Sequence, residues 1–62
     1  MWKFLIVVEF ANREPEEWGF MTFERIPHVG EIIILKAIDN YKAKVLHIAM
    51  SLMEVRVQLC SG

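Results

Sequence analysis

A chain of 62 residues, 55% of them hydrophobic, holds one domain at most and is too apolar to be intrinsically disordered. Seven basic and eight acidic residues leave a net charge of -1, without the basic excess of a typical nucleic-acid binder or the acidic excess of a DNA mimic. The single cysteine, Cys60, excludes an intrachain disulfide, so the expected setting is a reducing compartment.

The first segment, Trp2 to Phe10, places Trp2, Phe4, Ile6, Val8 and Phe10 on one face at period two and Lys3, Leu5, Val7 and Glu9 on the other. This predicts a strand buried along one face, and on both faces in its middle. Its apolar run, Phe4 to Val8, is too short for a signal peptide and is followed by Glu9 rather than a cleavage site. No stretch approaches the roughly 20 apolar residues of a membrane span. The expectation is a cytoplasmic protein with no membrane partner.

Ala11 to Glu17 is polar, carries Pro15, and predicts a solvated loop. Trp18 to Ile26 resumes the aromatic pattern, but Phe20 and Phe23 differ in parity. Either both faces are covered or a bulge shifts the register, and Gly19 permits the bulge. Pro27 to Glu31 is a turn punctuated by Pro27 and Gly30. Ile32 to Leu35, closed by Lys36, is uninterruptedly apolar and predicts a buried strand, after which Asp39-Asn40 supplies turn chemistry.

Tyr41 to Met53 has two readings. As a strand it sets Tyr41, Ala43, Val45 and His47 against Lys42, Lys44, Leu46 and Ile48. As a helix it gathers Tyr41, Val45, Ile48, Ala49 and Leu52, and intrinsic propensity favours the helix. Glu54 to Leu59 alternates cleanly, with Val55, Val57 and Leu59 inward.

Three stretches, Ile26-Pro27-His28-Val29-Gly30-Glu31-Ile32-Ile33-Ile34-Leu35, Tyr41 to His47 and Val55 to Leu59, together resemble the small SH3-like β-barrels of uncharacterised bacterial and phage proteins. The shared pattern is a proline, a Val-Gly-Glu turn and a short strand, then a tyrosine-led strand and a final alternating strand, over residues 26 to 59. The resemblance implies a five-stranded, strongly bent barrel and a strand from Tyr41 to Ala49. It implies no activity, since such barrels host many unrelated functions. Physics points the same way, because an open sheet of this size would leave long apolar edges. The expected fold is therefore all-β, a single five-stranded SH3-like barrel over residues 1 to 62. The alternative is α+β, a β-meander with a helix at about 41–54.

No catalytic constellation is legible. His28 and His47 have no serine, cysteine or paired carboxylate at a catalytic spacing. Glu14, Glu16 and Glu17 lack the ordered oxygen ligands of a calcium loop. Cys60 sits in an expected frayed tail, and two histidines with one cysteine make no zinc spacing. The expectation is no enzyme, no cofactor and no metal, and within one such barrel there is little room for a ligand pocket of roughly 300 Å³ or more.

Two surfaces carry functional readings. Leu46, Ile48, Met50, Leu52 and Met53 are unusually apolar for a hairpin end, and Leu5 and Val7 extend the same surface. They form either a protein interface or, if the strand bends at His47, part of the core. Lys42, Lys44 and Arg56 align on one outer face if the last two strands pair antiparallel. They are either solvated charges that discourage aggregation or a nucleic-acid contact. The reading from sequence is a non-enzymatic interaction module that self-associates or docks on another protein. Nucleic-acid binding through the Lys42, Lys44 and Arg56 face is the alternative.

Overall fold

The structure, a computed structural model, describes residues 1–35 and 40–60. Its elements are β1 (Trp2–Glu9), β2 (Glu16–Phe23), β3 (Ile32–Leu35), β4 (Tyr41–Ala49), a 3-10 turn (Met50–Leu52) and β5 (Glu54–Leu59). They form one mixed sheet in the order β2-β1-β5-β4-β3. The sheet curls into a half-barrel around a core of Phe4, Ile6, Val8, Ile33, Leu35, Ala43, Val45, Val55 and Val57. No α-helix occurs among the described residues. The all-β expectation is met, and the alternative helix over 41–54 is replaced by β4 and the short turn.

Pairing explains why β4 overrides its helical propensity. Ala43 and Val45, both fully covered, lie opposite Leu59 and Val57 on β5. A helix would forfeit that packed valine pair and leave the alternating face of β5 in water. The β1–β5 pairing is parallel, a connection that nothing in the local sequence signals. The parallel pair sets Ile6 beside Val55 and Val8 beside Val57, which makes β1 and β5 the floor of the core.

Two bulges shift the register. Between Leu5 and Val7 the partner strand steps from Phe20 to Glu17, so β2 holds one extra residue at Trp18-Gly19. Gly19 has φ +88° there, open to glycine at little cost. The bulge sits at the Gly19 expected to permit it, but Phe20 to Phe23 pair regularly with Leu5 to Trp2, so the two phenylalanines stay on opposite faces, Phe20 exposed and Phe23 packed on the core. On β4, Val45 faces Val57 while His47 faces Arg56, so the extra residue is Leu46. The second bulge turns Ile48 to the core side, opposite the fully buried Val55, and His47 outward. The strand faces expected for His47 and Ile48 are therefore exchanged.

Three further expectations change. Glu16 and Glu17 belong to β2 rather than to the preceding loop, because they pair with Val8 and Val7. The run Ile32 to Leu35 is buried on one face only, since β3 is the last strand of the sheet and Ile32 and Ile34 point outward. Cys60 is not frayed: its N–H donates to the Lys42 carbonyl at 2.9 Å. The closing residue Lys36 and the turn residue Asp39 lie outside the described residues, and Asn40 has φ +54°, in the left-handed region expected of it.

The open side of the half-barrel is spanned by aromatic contact. Trp18 from β2 and Tyr41 from β4 lie 5.9 Å apart between ring centroids, and Phe23 meets the buried Phe4 edge to face at 5.8 Å. Such pairs add roughly 0.5–1.5 kcal/mol beyond area burial. They hold the β2 edge against the core although β2 hydrogen-bonds only to β1 in the sheet.

Candidate functional site

The five residues expected at an interface separate into two groups. Ile48 and Met53 pack on the core, and Leu46 is half-buried at the bulge. The bend near His47 does what the core reading of this segment requires for Ile48. Met50 and Leu52, in contrast, stand in water at the end of the β4–β5 hairpin. The turn is closed by Met53, whose φ of +50° is left-handed and whose N–H donates to the Met50 carbonyl at 3.2 Å. The Met53 carbonyl accepts from Leu5 N–H at 2.8 Å, which fixes the turn against β1.

That tether determines what surrounds the turn. Leu5, half-buried, lies opposite Phe20 on β2, and Phe20 is exposed with the Lys3 ammonium 5.1 Å from its ring centroid. Leu5 and Phe20 therefore lie on the strand pair to which the exposed Met50 to Leu52 turn is tethered. Val7 does not extend that exposed surface. Although it lies on the outer face between Glu17 and Arg56, Val7 is buried.

The basic stripe is only partly available. β4 and β5 are antiparallel as required, and Lys44 lies opposite Gln58. Arg56, however, donates from Nε to Glu54 at 2.9 Å and from Nη1 to Glu9 at 3.3 Å. The bond to Glu54, then that to Glu9, makes its guanidinium hold its proton more tightly than an ordinary arginine. Two carboxylates already neutralise this cation. Lys42 and Lys44 are flanked on β3 by Ile34 and Ile32, and no aromatic platform stands beside them in the register.

The Pro27 to Glu31 turn is a closed polar unit. Glu31 accepts from His28 N–H at 2.9 Å and from both terminal nitrogens of Arg25 at 3.3 and 2.9 Å. The His28 backbone bond, then the Arg25 bond, holds its carboxyl below the ordinary glutamate range. Gly30, at φ +90°, lets its N–H reach the Val45 carbonyl at 2.8 Å. Phe23, Glu24, Arg25, Pro27 and Glu31 line an open depression of about 430 Å³. It lies on the surface rather than in the barrel, and its charged pair is already spent on itself. His28 and His47 are both exposed. Among the described residues no three His, Cys, Asp or Glu side chains converge as metal ligands, and no helix is long and apolar enough to cross a membrane.

Sequence reading missed the outward isoleucines of β3 and the exposed Phe20. The signal for Phe20 was present in the Gly19 bulge, which fixes its parity. An apolar run carries no mark of edge position, so Ile32 and Ile34 had no such signal. Comparison with protein-family models, curated proteins and solved structures returns no match.

Proposed function

We propose that this chain is a non-enzymatic protein-interaction module that associates with copies of itself. One observation carries the reading. A fold with a small core leaves Leu52 68%, Phe20 64%, Ile32 52%, Ile34 45% and Met50 43% exposed. Each such side chain gains up to roughly 1.5–3 kcal/mol when fully covered, and apolar surface gathered in patches marks interaction surfaces. These five lie at the Met50 to Leu52 turn, at Phe20 and on the outer face of β3, while Met1, Trp2, Val29 and Tyr41 are exposed elsewhere. Met50 and Leu52 are the part of the sequence-expected interface that stays available, while Ile48 and Met53 serve the core. The likeness to SH3-like barrels belongs to the same reading, and β3, β4 and β5 form the antiparallel meander over most of the residues that carry it.

Nucleic-acid binding is the weaker reading because Arg56 is engaged by Glu9 and Glu54. Light scattering behind size exclusion tests the proposal: the mass should rise above 7.3 kDa with loading concentration. A mass fixed at that of one chain at every concentration refutes self-association.

A further inference from the structure

The two edges of the sheet are built differently. At one edge, β2 carries Glu16 and Glu17 and is kinked by the bulge at Gly19. Charges and bulges are the usual defences of an unpaired strand. At the other edge, β3 is Ile-Ile-Ile-Leu with no charge, proline, glycine or register shift, and no described strand pairs with its far side.

Its hydrogen-bonding direction follows from the ladder. The Glu31 carbonyl accepts from Val45 N–H at 2.9 Å, on the side of β4. Antiparallel pairing alternates, so Ile33 and Leu35 turn their backbone groups toward β4, and Ile32 and Ile34 turn theirs to the free edge. The side chains alternate in step, Ile33 and Leu35 into the core and Ile32 and Ile34 outward.

Resting on the self-association reading, we infer that two copies join β3 to β3 antiparallel about a two-fold axis at Ile33. In that register Ile32 of each copy faces Ile34 of the other. The pair exchanges about four backbone hydrogen bonds, all from groups now directed at the free edge. Ile33 meets its own copy on the core side, and Ile32 lies against Ile34 outside. The three central contacts are between β-branched apolar groups, the pairing that sheets favour, and Leu35 of each copy lies across from Glu31 of the other.

Charge selects a second copy as the occupant. Nothing on β3 is charged, so an acidic or basic strand finds no counter-ion there. Lys42 and Lys44 lie one strand inward. Across the joint they are separated from those of the other copy by three strand spacings, about 14 Å. That exceeds the Debye length of about 8 Å at physiological salt, so the lysines impose little repulsion. Pairing β2 with β2 would instead bring glutamates and bulges together.

The register makes the test specific. In a Cys60→Ser background, a mixture of Ile32→Cys and Ile34→Cys proteins should form the mixed disulfide under mild oxidation, because facing residues lie about 5.5 Å apart. Either variant alone should crosslink at least tenfold less, since like positions are offset by two residues. An Ile32→Lys, Ile34→Lys variant should raise the dimer dissociation constant at least tenfold while keeping its β circular-dichroism spectrum. If that variant fails to fold, the cysteine pair decides. Wild type that is monomeric throughout overturns both this pairing and the self-association reading. Association without the mixed disulfide overturns the pairing alone. In that event, loss of association on Met50→Asp, Leu52→Asp places the contact at the turn.

Discussion

Ile48 and Leu52 are neighbours in sequence with opposite expected roles, and truncating each tests the register that separates them. Ile48 faces the fully buried Val55 across β4–β5 and packs on the core. Ile48→Ala should cost about 2 kcal/mol, the low end of the roughly 2–5 kcal/mol for buried isoleucine, because Ile48 is only partly covered. Leu52 is 68% exposed. About a third of its side chain is covered, so Leu52→Ala forgoes about a third of roughly 1.5–3 kcal/mol, below about 1 kcal/mol. A domain of this size has about 3–9 kcal/mol in total, at roughly 0.05–0.15 kcal/mol per residue, so the first loss is large and the second small. Urea unfolding followed by circular dichroism and tryptophan fluorescence measures both, at dilution low enough that association adds no stability. Equal losses, or a silent Ile48→Ala, would refute the bulge at Leu46 and return Ile48 to the outer face.

Gly30→Ala meets no atom within 4 Å of the added methyl, so its cost is the left-handed backbone alone, about 1–2 kcal/mol in the same unfolding assay. Glu31 should titrate by NMR below the ordinary glutamate value, and Arg25→Gln should raise that midpoint only part way, because the larger His28 backbone bond remains. Its folded value is depressed, so its stabilising contribution is complete above the unfolded glutamate value and is lost as pH falls through the folded one. Labelled single-stranded oligonucleotides should show no saturable anisotropy change at low salt. Tight, salt-dependent binding abolished by Lys42→Ala, Lys44→Ala would replace the interaction reading.

Legibility in the sequence followed the range of the forces involved. The alternation of Val55, Val57 and Leu59 is a local pattern that burial of one sheet face enforces, and it located β5 correctly. Gly19 likewise marked the bulge in β2, whereas the opposite parity of Phe20 and Phe23 reflects the two faces of a regular stretch. The Leu46 bulge had no glycine to mark it. It depends on how β4 meets Val57 and Arg56 across the hairpin, and so the outward and inward roles of His47 and Ile48 were exchanged. Arg56 looked like one member of a basic stripe: Glu54, two positions away on the same strand face, was a visible partner, but Glu9 is 47 positions away, a contact created by the parallel β1–β5 pairing. Four consecutive apolar residues at Ile32 to Leu35 looked fully buried, whereas their edge position is a property of the whole sheet. The turn residues Met50 and Leu52 were legible as apolar, and only the three-dimensional arrangement separates them from Met53.

Small-angle X-ray scattering over a concentration series bears most directly on self-association. One chain has a Cα radius of gyration of 10.7 Å and a longest extent of 30 Å. The account predicts that the extrapolated forward scattering approaches twice the one-chain value as concentration rises, while the largest intraparticle distance grows past that of one chain. Forward scattering that stays at the one-chain value, with dimensions unchanged at every concentration, would contradict it.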